Sequence, residues 1–399
     1  MFRDGSGRSC LVPFMLVASL FFLWGVAHSI LDVLNKHFQD VLVISKARSG
    51  LVQAVVYGGY FLMALPAGRI IGKWGYRAGI VTGLLLYGAG ALMFIPGGRM
   101  MSFPFFLLCL FVIGCGLTCL ETSANPYIAV LGDRHGAARR LNLAQSLNGL
   151  GWIVGPLLGG LLILGDDSDI ALPYAVIGTA VIVLGLVFSR LRLPSPDTDA
   201  HDTAGAADGS KRAIWKAGTF RWGVPALLLY VAAQTGINSF FINYVMEAGP
   251  EITARTAALM LSFGGMGLFM IGRLLGSVAM RTVRPAVMMA ACSSGAAICM
   301  VLVILCSGKA GIAALCLTYL FESVMFPTIF SMALADIRGE GTKTASSYLV
   351  MSIVGGAVSP VLMGLLGETS MAAGFILPLA CFVAVGAYAA AYKKLRLNV

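Results

Sequence analysis

The feature that most constrains this chain is a series of long apolar runs separated by short polar segments. A helix rises 1.5 Å per residue, so about 20 residues cross the roughly 30 Å hydrocarbon layer of a bilayer. Twelve such runs can be marked, near residues 11–34, 49–72, 78–97, 103–131, 141–164, 171–190, 222–246, 255–280, 286–306, 310–335, 344–367 and 371–391. They do not alternate with period two, which excludes a membrane β-barrel. The sequence predicts an all-α membrane protein with twelve transmembrane helices.

Composition excludes several other classes of protein. Hydrophobic residues make up 58% of the chain and charged residues 12%, about half the charged share of soluble domains. The net charge of +10 comes from Lys and Arg scattered between the apolar runs, which is typical of membrane loops and not of a nucleic-acid groove. The nine cysteines lie almost wholly within apolar runs, without a C-x-x-C pair or a Cys/His cluster. We therefore expect no nucleic-acid partner, no metal, no disulfide and no cofactor.

The basic residues also predict how the chain is oriented. The first apolar run is too long for a signal-peptide core and is expected to remain as a span. If the N-terminus is cytoplasmic, 21 of the 28 Lys and Arg fall in cytoplasmic segments and six fall outside, with Arg273 inside a span. This bias follows the positive-inside rule. We predict a multi-pass protein of the bacterial cytoplasmic (inner) membrane with both termini in the cytoplasm.

A single long polar stretch divides the chain into two halves. Residues 192–221 are rich in Asp, Ala, Gly, Ser and Pro and end in a basic cluster, a composition typical of a flexible linker. The predicted organisation is an N-terminal six-helix bundle (1–190), a cytoplasmic linker (191–221) and a C-terminal six-helix bundle (222–399).

The two halves resemble each other at a spacing of roughly 200 positions, which indicates an internal repeat. Glu121-Thr122-x-x-x-Pro126 matches Glu322-Ser323-x-x-x-Pro327, and "SKARSGL" (45–51) matches "TARTAAL" (253–259). "GPLLGGLL" (155–162) is similar to "SPVLMGLL" (359–366). Two repeated six-helix halves predict a solute site between them near mid-membrane.

Several motifs resemble those of the major facilitator superfamily. The segment Gly68–Arg77 is similar to the superfamily pattern Gly-x-x-x-Asp-Arg-x-Gly-Arg-Arg, with Gly72 at the aspartate position. "FFLWGVAHSILDVL" (21–34), "GCGLTCLETSANPYIAVLG" (114–132), "RLNLAQSLNGLG" (140–151) and "FPTIFSMAL" (326–334) resemble the bacterial L-fucose–proton symporter family, which includes glucose/galactose transporters. The resemblance extends over nearly the whole chain and implies the major facilitator fold and sugar transport.

Two acidic residues within predicted spans are the candidate proton-coupling residues. An ionised carboxylate at the centre of a span costs about 2.5–3.5 kcal/mol on insertion scales, so a buried carboxyl tends to hold a proton and to release it when water arrives. The alternatives are a partner for a basic residue such as Arg273 in the case of Glu121, and a helix-end contact with interfacial water in the case of Asp32. The family resemblance implies protonation at Asp32, and sugar binding with coupling at Glu121.

Polar and aromatic residues at helical spacing predict sugar contacts in the first half. His28 and Trp24 lie one and two turns before Asp32, and His28 is interpreted as a hydrogen-bonding residue or a second proton carrier. A stripe of amides on one helix matches sugar hydroxyls, or alternatively joins helices: Asn142, Gln145 and Asn148, with Trp152 one turn on. Asn125, next to Pro126, is a further candidate, and Gly151, Gly155 and Gly159 predict close helix packing.

The second half offers a parallel set of candidates. Gln234 and Asn238 resemble the cavity residues of the first half, and Phe326 offers a ring face to a sugar. Glu322 is either a third cavity carboxylate that accepts a hydrogen bond from sugar or a protonated structural residue.

These observations predict a proton-coupled symporter that imports a monosaccharide, L-fucose-like or a hexose, by alternating access and acts as a monomer in the lipid bilayer. Three alternatives stay open: a sodium-coupled sugar symporter, an exporter of apolar drugs, and a membrane sugar receptor that moves nothing. An enzyme is not expected, because no nucleophile–base set or phosphate-binding loop is present.

Overall fold

The computed structural model describes residues 10–131, 137–164, 171–191, 214–280, 282–337, 345 and 348–397, and the regular elements in these ranges are helices. The α-helices are α1 (Leu11–Leu42), α2 (Lys46–Ser49), α3 (Leu51–Leu92), α4 (Phe94–Met100), α5 (Phe103–Val130), α6 (Ala137–Leu162), α7 (Ala171–Arg190), α8 (Gly218–Ala248), α9 (Ala254–Leu259), α10 (Gly267–Ala279), α11 (Pro285–Leu305), α12 (Gly308–Glu322), α13 (Met325–Leu334), α14 (Gly355–Leu366), α15 (Met371–Gly374) and α16 (Ile376–Leu397). A π-helical turn (Met260–Met266) joins α9 to α10, and a 3-10 turn (Ser352–Val354) precedes α14.

The helices account for the twelve predicted spans. Ten stretches within the described ranges are long and apolar enough to cross a membrane. The longest of them, Lys46–Met100, contains two predicted spans that meet at Gly75, where the backbone leaves the helical region (φ 79°, ψ 173°). Glycine tolerates this positive φ without the clash of a side chain. The remaining span is α6, whose amides Gln145 and Asn148 make it less apolar than its neighbours.

Many large apolar side chains point away from the helix contacts. Leu65, Leu274 and Leu305 are each more than half exposed, and similar side chains recur along most of the helices. A soluble protein with so much exposed apolar surface would aggregate, whereas lipid chains cover it without cost. The pattern fits helices that present one face to neighbouring helices and the other to a bilayer.

The chain divides into two compact units. Unit 1 contains the described residues of Met1–Val43 and Val55–His201, and unit 2 contains those of Ile44–Ala54 and Asp202–Val399. Most of the predicted linker, 192–213, lies outside the described residues. The helices on either side of it end at Arg190 and begin at Gly218, so α8 starts four residues before the predicted span.

In unit 1, glycines allow α1 and α6 to pack closely along their length. A methyl group added to Gly155 would collide with the Ser29 hydroxyl, and one added to Gly159 would lie 2.8 Å from Val33. The Ser29 hydroxyl also donates to the carbonyl of Gly25 at 2.8 Å within α1. The glycine stripe therefore has the packing role predicted for it, and it brings α6 side chains next to those of α1.

The repeated motifs form the same local structure in both halves. Ser45 accepts a hydrogen bond from the Arg48 backbone N–H at the start of α2, and Thr253 accepts one from Thr256 at the start of α9. A side-chain oxygen at this position satisfies an amide that the first turn of a helix leaves free. The "SKARSGL" and "TARTAAL" segments are therefore equivalent helix starts.

Within unit 2, the segment 44–54 packs against α14. Lys46 Nζ donates to the carbonyl of Gly367 at 2.7 Å and lies 3.6 Å from a carboxylate oxygen of Glu247. Glu247 in turn accepts from the Met371 backbone N–H at 2.9 Å. The Lys46 side chain thus ties the segment to the ends of α8 and α14.

Candidate functional site

Three of the predicted residues follow one another on a face of α1. Trp24, His28 and Asp32 are spaced by four residues, and the rings of Trp24 and His28 have centroids 6.2 Å apart. His28 is 8% exposed and Asp32 only 2% exposed. Asp32 is therefore almost completely enclosed by the folded chain.

His28 lies within a cluster of aromatic rings from three helices. Its Nε2 is 2.9 Å from the Tyr60 hydroxyl of α3, and its ring stacks on Trp152 of α6 with centroids 6.0 Å apart and planes 16° apart. Tyr57 completes the cluster at 6.1 Å. Aromatic faces of this kind pack against the apolar side of a sugar ring, and the imidazole supplies a polar atom among them.

Tyr60 extends this cluster to the membrane glutamate of α5. Its hydroxyl lies 2.9 Å from His28 Nε2 and is also within interaction range of the Glu121 carboxyl and the Trp24 side chain. Glu121 itself is half-buried. The result is a continuous polar chain, His28–Tyr60–Glu121, that joins α1, α3 and α5.

Sequence reasoning missed Tyr60. Charged and amide residues in an apolar run stand out because they are costly there, whereas tyrosine is common in packed helices. The available signal was the pair Tyr57 and Tyr60, whose spacing of three places them on the same face of α3.

The predicted amides of unit 1 have different surroundings. Asn148 is 8% exposed, and its Nδ2 donates to the Phe21 carbonyl of α1 at 3.0 Å. Gln145 and Asn125 are half-buried, and Asn125 Oδ1 has no partner among the described residues. Asn142 has a side chain outside the described part of the chain. Asn148 thus joins two helices, while Asn125 Oδ1 is left without a partner within the described residues.

Unit 2 contains a second cluster, around Tyr230 of α8. The Tyr230 hydroxyl donates to the Glu322 backbone carbonyl at 2.9 Å, and the Phe326 ring lies 6.4 Å from the Tyr230 ring. Gln234 is half-buried one turn along α8, and Asn238 is 4% exposed, with its Oδ1 unpaired within the described residues.

Glu322 and Arg273 lie beside this second cluster. The Glu322 side chain is fully enclosed. Arg273, mentioned above as an alternative partner for Glu121, has its guanidinium 4.7 Å from the Phe269 ring, and its Nε donates to the Ser323 carbonyl at 3.4 Å. The structure therefore places the membrane arginine next to the backbone of the residue that follows Glu322.

Comparison with known proteins identifies the family of this chain. A family model described as the Major Facilitator Superfamily matches residues 11–360. The L-fucose-proton symporter of Escherichia coli is 34% identical over 96% of this chain and 94% of its own length. A glucose/galactose transporter of Brucella abortus is 32% identical over 92% of this chain and 91% of its own. A crystal structure of the E. coli fucose:proton symporter superposes with a TM-score of 0.71 at 34% identity, covering 96% of this chain and 99% of that one.

Proposed function

This chain belongs to the Major Facilitator Superfamily of membrane transporters, and from that premise we propose that it is a proton-coupled symporter that imports a monosaccharide, L-fucose-like or a hexose, by alternating access. Relatives at 34% and 32% identity over nearly the whole chain are an L-fucose-proton symporter and a glucose/galactose transporter. The observation that carries the proposal is the His28–Tyr60–Glu121 chain, whose first member, His28, lies on the same face of α1 as the buried Asp32.

Asp32 and Glu121 are the proposed proton-coupling residues. A carboxyl enclosed away from water favours its neutral form, and hydration favours the ionised form. A carrier that opens to one side of the membrane at a time therefore loads a proton on one side and loses it on the other. In this proposal Asp32, which is enclosed, carries the proton, and Glu121, which is half-buried, senses the sugar.

The proposed sugar contacts are assigned within each unit. In unit 1, Tyr60 donates to Glu121 or to a sugar hydroxyl, and Gln145 and Asn125 offer amides that both donate and accept. The rings of His28 and Trp152 offer apolar faces. The further proposed contacts, retained from the sequence, are Asn148 in unit 1 and Gln234, Asn238 and Phe326 in unit 2.

The chain is a multi-pass membrane transporter, and its bacterial relatives indicate the inner membrane. Both termini are proposed to be cytoplasmic, and the transporter is proposed to work as a monomer surrounded by lipid. Sodium coupling is the second candidate, because carboxylates can also hold a cation. Sugar binding without transport is the third.

Transport by purified protein in proteoliposomes tests the proposal. A panel of fucose, galactose, glucose, mannose and N-acetylglucosamine in counterflow identifies the sugar, because counterflow needs movement of the carrier but no ion gradient. Uptake driven by a proton gradient, with and without sodium, then identifies the ion. Failure of every sugar in counterflow would overturn the proposal, and accumulation only with a sodium gradient would replace the proton.

Glu121→Gln and Asp32→Asn should abolish proton-driven accumulation, because an amide cannot take up and release the proton. Asp32→Asn should keep counterflow, since it mimics the protonated acid. Glu251→Gln is the matched control, because it makes the same chemical change at an exposed position and should leave accumulation unchanged. Accumulation by Glu121→Gln at the wild-type level would contradict the assignment.

A further inference from the structure

The helix that contains Glu322 is interrupted immediately after this residue. α12 ends at Glu322 and α13 begins at Met325, with Ser323 and Val324 between them. The cause is Pro327, which has no N–H to donate to the carbonyl four residues earlier and whose ring crowds that carbonyl. The carbonyl left without a helical partner is that of Ser323.

Two side chains from other helices satisfy the interrupted backbone. Arg273 Nε donates to the Ser323 carbonyl at 3.4 Å, and the Tyr230 hydroxyl donates to the Glu322 carbonyl at 2.9 Å. Irregular backbone at membrane depth is stable only with such partners. Arg273 Nε and the Tyr230 hydroxyl therefore donate to main-chain carbonyls and not to the Glu322 carboxyl.

The Glu322 carboxyl has no donor of its own. It is 0% exposed, and neither Oε1 nor Oε2 has a hydrogen-bond partner among the described residues. Isolated burial of an ionised carboxylate is so unfavourable that such a group takes up a proton instead. The arrangement in this structure therefore suits the neutral acid.

The charged and titratable neighbours of Glu322 are few. Tyr230 from α8 lies within electrostatic reach of both Glu322 and Arg273. The other packed elements, α11, α13 and the π-helical turn Met260–Met266, have no charged residue, and α11 contributes only the thiols of its cysteines. Arg273 makes no ion pair with a carboxylate in the described ranges. A half-buried cation and a buried acid thus lie at adjacent residues of one interrupted helix without pairing.

We propose that Glu322 is a second proton-binding site, located in unit 2, with Arg273 as its alternating counterion. With the proton bound, as in the arrangement seen here, Arg273 holds the Ser323 carbonyl. When the O–H bond of the acid breaks and the proton passes to water, the guanidinium moves to the carboxylate and releases that carbonyl. The protonation state of Glu322 therefore decides whether Arg273 donates to the Ser323 carbonyl of the interrupted helix.

This inference deepens the proposed proton coupling and rests on it. The internal repeat supports the assignment, because Glu121 and Glu322 each lie five residues before a proline, Pro126 and Pro327. The sequence interpretation of Glu322 as a sugar contact is replaced here by a proton-binding role, since the carboxyl is enclosed while Phe326 nearby is half-buried.

Infrared spectroscopy of the purified protein tests the site without any sugar. The chain has six glutamates, and Glu121 and Glu322 are the two within predicted spans. In Glu121→Gln protein grown with isotope-labelled glutamate, the C=O band of a protonated glutamic acid at neutral pH should remain and should disappear at alkaline pH. Adding Glu322→Gln should remove the band.

Substitution of the counterion tests the second part of the proposal. Arg273→Gln in the Glu121→Gln background should make the glutamic-acid band persist to more alkaline pH, because the ionised form loses its partner. Arg255→Gln is the matched control at an exposed arginine and should leave the titration unchanged.

Three results would overturn the inference: no glutamic-acid band at neutral pH, a band that never titrates, or the same titration in the Arg273→Gln and Arg255→Gln proteins. Size-exclusion profiles report folding of each variant. If Glu322→Gln does not fold, isotope labelling of the Glu121→Gln protein still decides whether Glu322 carries a proton. The transport assays test the proposed function separately, because they depend on sugar.

Discussion

Tyr60 connects two residues that the sequence singles out for separate reasons. His28 is the polar residue one turn before the aspartate of α1, and Glu121 is the costly carboxylate in an apolar helix. The Tyr60 hydroxyl contacts both. Because His28 Nε2 lies 2.9 Å from the Tyr60 hydroxyl, we interpret His28 as a hydrogen-bonding residue and not as a proton carrier.

Replacing Tyr60 with Phe should weaken sugar binding. The change removes one hydroxyl and keeps the ring, so Glu121 loses a donor that orients it. A lost hydrogen bond is worth about 1 kcal/mol, which corresponds to roughly a fivefold increase in Kd. Titration calorimetry with the sugar identified by counterflow measures this change.

Tyr87→Phe is the control for this substitution, because Tyr87 is a buried tyrosine of the same helix outside the His28 cluster. It should leave the Kd unchanged. Equal affinity in the Tyr60→Phe and wild-type proteins would show that the hydroxyl does not contribute to the site.

At the scale of elements, hydropathy predicts which segments are helical but not how each helix is hydrogen-bonded. The run 255–280 looks uniform in sequence, yet its centre is the π-helical turn Met260–Met266. The run 310–335 is interrupted at Ser323 and Val324, and Pro327 was the signal for this break. The length of an apolar run reports the free energy gained when its side chains leave water. This free energy does not depend on local changes in the backbone.

The residues of the candidate site also divide into those that the sequence could predict and those that it could not. Asp32, Glu121 and Glu322 could be found in sequence because a carboxyl in a membrane span is costly whatever surrounds it. Tyr60 and the role of Asn148 as a link between helices could not, because both depend on which helices meet. The glycine stripe on α6 predicted close packing but did not identify α1 as its partner.

The contact between α1 and α6 should be sensitive to any side chain at Gly155. A valine there would collide with Ser29 across the interface, and overpacking of a tight contact costs about 1–3 kcal/mol. Gly155→Val should therefore lower the Tm of the purified protein in detergent by several degrees. Thermal unfolding followed by size-exclusion chromatography measures the effect.

Gly149→Val on the same helix is the matched control, since a side chain at Gly149 would meet nothing within 4 Å. Both substitutions replace a helical glycine by the same residue, so the difference between their Tm values measures the effect of packing between α1 and α6. Equal Tm values for the two variants would contradict the close α1–α6 contact.

At the scale of the whole molecule, the direction of transport depends on orientation in the membrane. A proton that enters the cell releases about 2.3 kcal/mol of free energy per 100 mV of inside-negative potential. A symporter uses this energy to import sugar only through steps that expose the same carboxyls first outside and then inside. The placement of 21 of 28 basic residues in predicted cytoplasmic segments therefore bears directly on function.

Reporter fusions test this orientation. Green fluorescent protein fused after residue 397 should fluoresce, and alkaline phosphatase at that position should be inactive, because we predict a cytoplasmic C-terminus. Fusions after Ser307, between α11 and α12, should give the opposite pair of results, since this loop is predicted to lie outside. Inverted results at both positions would reverse the orientation, and protons driven by the membrane potential would then enter from the end of the helices assigned here to the cytoplasm.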